Sequence, residues 1–178
     1  ENNKILIRDD QNNGITQLTL NRPDKYNALS SALLTDIQIE LDRISQDPNV
    51  RVVILAGEGT AFCAGHDIQE IMDNPSEPSV KILFQKCSKM MLTLTKMPQP
   101  IIAKIHGLAT AAGCQLVAQC DLAVASDEAT FATSGIGIGL FCGTPSVAVT
   151  RNMPRKQAME LLFTGEFIDA RKALEFGL

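Results

Sequence analysis

Twice in this chain a short apolar run gives way at once to small residues and then to a helical pattern. The first apolar run is 52–56. It is followed by Gly57-Glu58-Gly59-Thr60-Ala61-Phe62-Cys63-Ala64-Gly65-His66-Asp67-Ile68 and a short helix around 69–72. The second is 101–105, followed by His106-Gly107-Leu108-Ala109-Thr110 and a helix over 111–119. Runs of this length bounded by turn residues fit strands buried in a parallel sheet better than helices. Strands alternating with helices then imply an α/β architecture with parallel sheet.

The rest of the chain is consistent with that class. Ile5 and Ile7, then Ile15, Leu18 and Leu20, read as two early strands joined by a turn at Asn12-Asn13-Gly14. Ser30 or Ser31 caps a helix with apolar positions Leu33, Leu34, Ile37, Leu41 and Ile44, which Pro48 stops. A second helix is predicted over 80–96, with Leu83, Phe84, Cys87, Met91 and Leu94 on one side; its methionines and Phe84 read as core. A strand over 122–125 and helices over 155–163 and 170–176 follow. No repeat, low-complexity tract or long linker interrupts the sequence, so residues 1–178 read as one domain with a sizeable core.

Composition excludes several classes. The net charge of -4 offers no basic patch for nucleic acid or a membrane surface. No apolar run approaches the roughly 18 residues of a membrane span, and the polar start, Glu1 to Lys4, does not read as a signal peptide. A cytoplasmic location is expected, or an organellar one if an upstream transit segment was removed. The five cysteines, Cys63, Cys87, Cys114, Cys120 and Cys142, contain no Cys-x-x-Cys pair, so they read as buried thiols and no metal site is expected.

Small residues let a ligand approach the backbone, and amides at a helix start can point at its oxygen. Two such turns facing each other would make an oxyanion hole, aimed at charge developing on a carbonyl oxygen. Taken singly, each turn is equally what close helix–sheet packing produces. Gly135-x-Gly137-x-Gly139 is an incomplete dinucleotide fingerprint and reads as a loop lining.

A more specific resemblance rests on several motifs in order. Asn21-Arg22-Pro23-Asp24-Lys25, Asn27-Ala28-Leu29, Ala61 through Ile68, His106-Gly107 through Cys114-Gln115-Leu116, Cys120 through Ala125, Phe131-Ala132 and Phe163-Thr164-Gly165 together resemble the enoyl-CoA hydratase/isomerase (crotonase) family. The pairing of Gly65-His66-Asp67 with Leu108 through Leu116 resembles one poorly characterised subgroup of it. The resemblance implies a crotonase-like spiral of ββα units, acyl-CoA thioester substrates, a place in fatty acid metabolism, and no cofactor beyond the substrate's own coenzyme A. It implies oxyanion donors at the His66 and Ala112 backbone N–H groups, and CoA contacts at Ala28, Ala64, Asp67, Ile68 and Gln69. Relatives often carry a lysine at the Gln69 position; Lys25 and Lys96 are substitutes for it or plain surface lysines. The resemblance further implies a homotrimer or dimer of trimers, built with helices that usually continue beyond the point corresponding to Leu178, so those helices are expected to be missing or disordered.

Two departures bear on activity. A hydratase of the family uses two glutamates, and these fall at Gln115 and Gly135 here. Neither residue can take up a proton, although a glutamine can orient a water. General acid–base catalysis is worth about 10² to 10⁴ in rate per group. Efficient two-glutamate hydration is therefore not expected. What remains is thioester chemistry that relies on the oxyanion hole, or acyl-CoA binding without turnover; a purely structural role leaves both small-residue turns unexplained. The His66 ring faces the thioester or points away, His106 is a weaker candidate, and Cys142 and Thr144 sit in a loop lining the acyl site, with packing the simpler role for Cys142.

Overall fold

The computed structural model describes residues 4–178, so the polar start 1–3 lies outside it. The chain opens with an antiparallel pair, β1 (Leu6–Asp10) and β2 (Ile15–Leu20), and helix α1 (Ser31–Ser45). Three ββα units follow. The first is β3 (Val52–Gly57), β4 (Ala61–Cys63), α2 (Ile68–Asp73) and α3 (Glu77–Leu94). The second is β5 (Ile101–Ile105), β6 (Leu108–Thr110) and α4 (Ala112–Gln119). The third is β7 (Leu122–Ala125), β8 (Thr130–Ala132) and α5 (Gly143–Asn152). Helix α6 (Arg155–Thr164), the short β9 (Ile168–Asp169) and α7 (Ala170–Phe176) complete the described fold.

Each unit sends its first strand to one sheet and its second to another. The larger sheet has order β1-β2-β3-β5-β7 and is parallel from β2 onward. The smaller has order β4-β6-β8-β9, with only β9 antiparallel. The chain thus advances one strand in each sheet per unit, which is the expected spiral.

Helix α1 forms where its periodicity places it. Ser30 caps it by accepting from the Leu33 N–H, and Leu33, Leu34, Ile37, Leu41 and Ile44 are its buried residues. Each such side chain contributes roughly 1.5–3 kcal/mol by burial, so one face of α1 anchors the core.

Several local expectations need correcting. Strand β1 buries Leu6 and leaves Ile7 37% exposed, the reverse of the face read from Ile5 and Ile7. Leu6 pairs with Leu20, and a one-residue shift in a strand exchanges its faces. The loops expected over 57–65 and 107–110 contain β4 and β6, each three residues long. Helix α3 starts earlier than expected, at Glu77, and ends at Leu94. Thr144 lies in helix α5 rather than in a loop, with Cys142 as its N-cap residue. Strand β7 is an edge strand whose four residues are all exposed.

Candidate functional site

The first small-residue segment is held by the loop that leaves β2. Tyr26 and Asn27 take left-handed backbone angles, φ 50° and 54°. Such angles cost energy in residues with a side chain, and the fully buried Asn27 shows what offsets it. Its Oδ1 accepts from the Arg22 N–H at 2.8 Å, and its Nδ2 donates to the carbonyls of Glu58 and Ala61, both at 2.8 Å. The loop then pairs edge to edge with the segment after β4. The Ala64 N–H donates to Tyr26 O (3.0 Å), the Leu29 N–H to Gly65 O (2.7 Å) and the Asp67 N–H to Leu29 O (3.2 Å). The amide of His66 lies between these bonds, and no protein group accepts from it among the described residues.

The second segment ends in a strained residue. Ala111, at φ 52° and ψ -120°, precedes the first turn of α4. Its own N–H donates to Ala132 O at 3.0 Å, whereas the Ala112 N–H, the first of the helix, has no acceptor among the described residues. The two segments touch through glycine. A Cβ on Gly113 would collide with the Cys63 carbonyl oxygen, and one on Gly65 would lie 3.2 Å from the Ala112 nitrogen and 2.9 Å from the Ala111 Cβ. The residue types are therefore dictated by backbone contact, and that contact brings two free amides side by side.

Both amides belong to residues lining a cavity of about 410 Å³. The lining draws Ala64, Ile68, Ile71 and Phe84 from the first ββα unit, Ala111 from the second, and Ser134, Gly135, Ile138 and Leu140 through Pro145 from the third. The Ser134 hydroxyl is tied to the Thr110 hydroxyl at 2.7 Å. No carboxylate or lysine lines this cavity. A wider depression of about 650 Å³ runs along α3, but every lining residue except Lys96, just past its end, comes from that one helix, so it is an exposed helix face. Among the described residues no cluster of histidine, cysteine, aspartate and glutamate is suited to a metal.

The His66 ring packs on Phe84, with ring centroids 4.6 Å apart. Its Nε2 is buried without a hydrogen-bond partner. Burial pushes its pKa down to about 4, against a smaller opposing pull from Glu70, so the ring is neutral at pH 7. Burial pushes the thiols of Cys63, Cys87 and Cys114 up to about 12. Cys142 is also raised by burial, partly offset by the Gly135 N–H. None of these thiols has the character of a ready nucleophile.

Not all the residues singled out in the sequence meet here. His66, Ala112, Gly135, Ala64, Ile68, Cys142 and Thr144 do. Gln115 does not line the cavity: it is buried one turn along α4, with its Oε1 unpartnered. Gly135 is packed shut, since a Cβ there would meet Leu140 O at 2.5 Å and Cys142 Sγ at 2.9 Å. Ala28 and Asp67 are buried beside the first segment without lining the cavity. Asp67 caps α2 through the Glu70 N–H and pairs with Arg22 at 2.8 Å. Gln69 is exposed and donates to Asp73 at 2.7 Å. Lys25 and Lys96 are exposed and away from the cavity, and the His106 ring is bonded to Gly59 O at 2.7 Å. Phe84, read as core, is instead a half-buried cavity wall. Arg22 stood within a quoted motif, but nothing in the sequence ties it to Asp67. The strain at Ala111 leaves no sequence signal at all.

Two facing small-residue turns carried by ββα units, with their free amides at an apolar cavity, define a crotonase-type binding cleft. A family model described as enoyl-CoA hydratase/isomerase matches residues 10–178, and the chain belongs to that family. It is similar to the mitochondrial enoyl-CoA hydratase domain-containing protein 3 of Xenopus laevis, 47% identical over 168 residues that cover 94% of this chain and 57% of that protein. Among solved structures it resembles an enoyl-CoA hydratase of Mycobacterium smegmatis, with a TM-score of 0.96 and 50% identity, covering 98% of this chain and 68% of the other. It also resembles the human enoyl-CoA hydratase domain-containing protein 3, with a TM-score of 0.93 and 45% identity, again over 98% and 68%. The chain thus spans a little over half the length of the curated relative.

Proposed function

We propose that this chain binds an acyl-CoA thioester with its carbonyl oxygen between the His66 and Ala112 amides, and that these donors stabilise the negative charge of an enolate-like state. The observation that carries this reading is the pair of unpartnered backbone N–H groups on touching segments at one apolar cavity. Preorganised donors in a water-poor site act strongly on developing charge. Ala28, Ala64, Asp67 and Ile68 would line the nucleotide and pantetheine part of CoA, with Gln69 near its phosphates. No cofactor beyond the substrate's own CoA is required.

The reaction belongs to the hydratase/isomerase range of the family, yet efficient two-glutamate hydration is not supported. Gln115 is off the cavity wall, and Gly135 is sealed by Leu140 and Cys142. Those same two features favour a second reading, an acyl-CoA binder without turnover. The full-length protein is proposed to be a homotrimer or a dimer of trimers. The mitochondrial location named for the Xenopus relative supports the organellar option over the cytoplasmic one.

The test is crotonyl-CoA turnover by the full-length protein, followed as loss of the enoyl-thioester absorbance, beside Gln115→Ala. Turnover at rates ordinary for a hydratase would overturn this view of Gln115 and Gly135. Slow turnover abolished by Gln115→Ala would support chemistry through a bound water. Binding without turnover, unchanged by Gln115→Ala, would support the second reading.

A further inference from the structure

Arg22 is fixed at four points on two sides of one loop. Its N–H donates to Asn27 Oδ1 at 2.8 Å, and its carbonyl accepts from the Asn27 N–H at 2.9 Å. Its Nη1 donates to Ala28 O at 2.6 Å and its Nη2 to Asp67 Oδ2 at 2.8 Å. The side chains of Arg22 and Asp67 are only 17% and 11% exposed. A planar guanidinium can serve a carbonyl and a carboxylate at once, which a lysine ammonium does with far less directional control.

What this clamp joins is specific. Ala28 O belongs to the loop whose next residue, Leu29, receives the Asp67 N–H and gives its own N–H to Gly65 O. Asp67 is the residue directly after His66. One guanidinium therefore spans from the loop to the residue flanking the His66 peptide, while Leu29 fixes that peptide from the opposite strand. The other carboxylate oxygen of Asp67 caps α2 at 3.3 Å, so the short helix is tied to the same point. The Leu29 N–H holds the carbonyl of the Gly65–His66 peptide directly, and the Arg22–Asp67 pair holds the residue that follows it, so the two restrain the His66 amide from both ends.

We propose that Arg22, acting through Asp67, is a positioning residue that sets the direction of the His66 N–H toward the thioester oxygen. The proposal rests on the oxyanion reading above. Arg22 does not line the cavity; its contribution is to keep one of the two donors aligned, and alignment decides how strongly an amide polarises the carbonyl.

The experiment uses full-length protein and para-dimethylaminocinnamoyl-CoA, a conjugated thioester whose absorption moves to longer wavelength as its carbonyl is polarised. The wavelength is read at saturating protein, and affinity is taken separately from the titration. A variant that is merely less stable lowers the folded fraction and the amplitude, but leaves the wavelength of the bound probe where it was. Arg22→Gln is expected to bind the probe and lose most of the wild-type red shift. Arg22→Lys keeps the charge but cannot hold both partners, so it should give an intermediate shift, and it carries the test if the glutamine variant does not fold. A full wild-type shift in either variant overturns the proposal and leaves the oxyanion reading intact. Failure of the wild-type protein itself to bind the probe or shift its absorption overturns that reading instead.

Discussion

The two walls of the cavity are built in opposite ways. The side that carries Ala64, His66, Ala111 and Ala112 is made from backbone, held by the glycine contacts of Gly65 and Gly113 and by left-handed backbone at Tyr26, Asn27 and Ala111. The side around Gly135 is closed by packing instead. Leu140 O and Cys142 Sγ fill the space beside Gly135, and Gln115 is turned into a buried position with an unpartnered oxygen. A backbone function survives as long as the residues stay small, whereas a side-chain function is lost with a single substitution. The comparison separates a surface set by backbone from one set by side chains; under the proposed reading, this chain keeps the parts that would polarise a thioester and lacks those that would transfer a proton.

The largest effect should come from adding bulk to the amide wall. Gly113→Val would drive a branched side chain into the Cys63 carbonyl, a backbone group with nowhere to go. Overpacking typically costs 1–3 kcal/mol, and a rigid backbone neighbour puts this variant at or above the top of that range, about 3 kcal/mol or more. A drop in the denaturant midpoint together with loss of acyl-CoA binding is the expected result. A stable variant that still binds would mean that the contact between the segments is not what assembles the site.

A pH titration of stability sharpens the same contrast, because His66 carries both an amide of the first wall and a buried ring. Its folded pKa of about 4 lies below its unfolded value of 6.5. Above pH 6.5 the ring is neutral in both states and its contribution is fully present. As pH falls from 6.5 to 4 the unfolded chain takes up a proton that the folded chain does not. Stability is therefore lost across that window, by roughly 3 kcal/mol from this group, and no further below it. His66→Phe should remove this part of the slope while preserving the contact with Phe84. An unchanged slope would show that the ring is solvated.

On the opposite wall, Gly135→Glu asks whether the missing acid can simply be put back. The Cβ alone would sit 2.5 Å from Leu140 O and 2.9 Å from Cys142 Sγ. The thiol can yield but the carbonyl cannot easily do so, so the variant should lose about 1–3 kcal/mol. It should gain no hydration of crotonyl-CoA. A gain in turnover would show that residues 140–142 move aside and that this wall is closed only by default.

The sequence carried the two walls unequally. Helix α1 was legible residue by residue, since burial on one face leaves a 3.6-residue period. Strands β3 and β5 of the larger sheet announced themselves as apolar runs, whereas β1, with its sequence Leu6-Ile7-Arg8-Asp9-Asp10, pointed to the wrong face. Strands β4 and β6 left no such mark, because three residues are too few for any period and a single Phe62 or Thr110 among small residues is too weak a strand signal. The position of the amide wall was legible through its small residues, but its geometry rests on Ala111, whose left-handed backbone is set by tertiary contacts and not by its own preference. Phe84 shares the helical face of true core residues, and only the three-dimensional path of α3 turns it toward a cavity. That positions 115 and 135 hold no acid was visible as letters; that Gly135 is packed shut by Leu140 and Cys142 was not.

The smallest effect distinguishes constraint from mere composition within the Gly135-x-Gly137-x-Gly139 run. Nothing lies within 4 Å of a Cβ built on Gly137, and its φ is not in the left-handed region, unlike Gly139 at 78°. Gly137→Ala therefore meets no clash and reduces the freedom of the unfolded chain. It should be neutral or stabilising by about 0.4–1 kcal/mol, with acyl-CoA binding unchanged. The same change at Gly139 forces an alanine into positive φ and should cost stability instead. If both variants behaved alike in thermal or denaturant unfolding, the run would owe its glycines to something other than backbone angle. The tight contact at Gly135 would then be the single position in it that shapes the cavity.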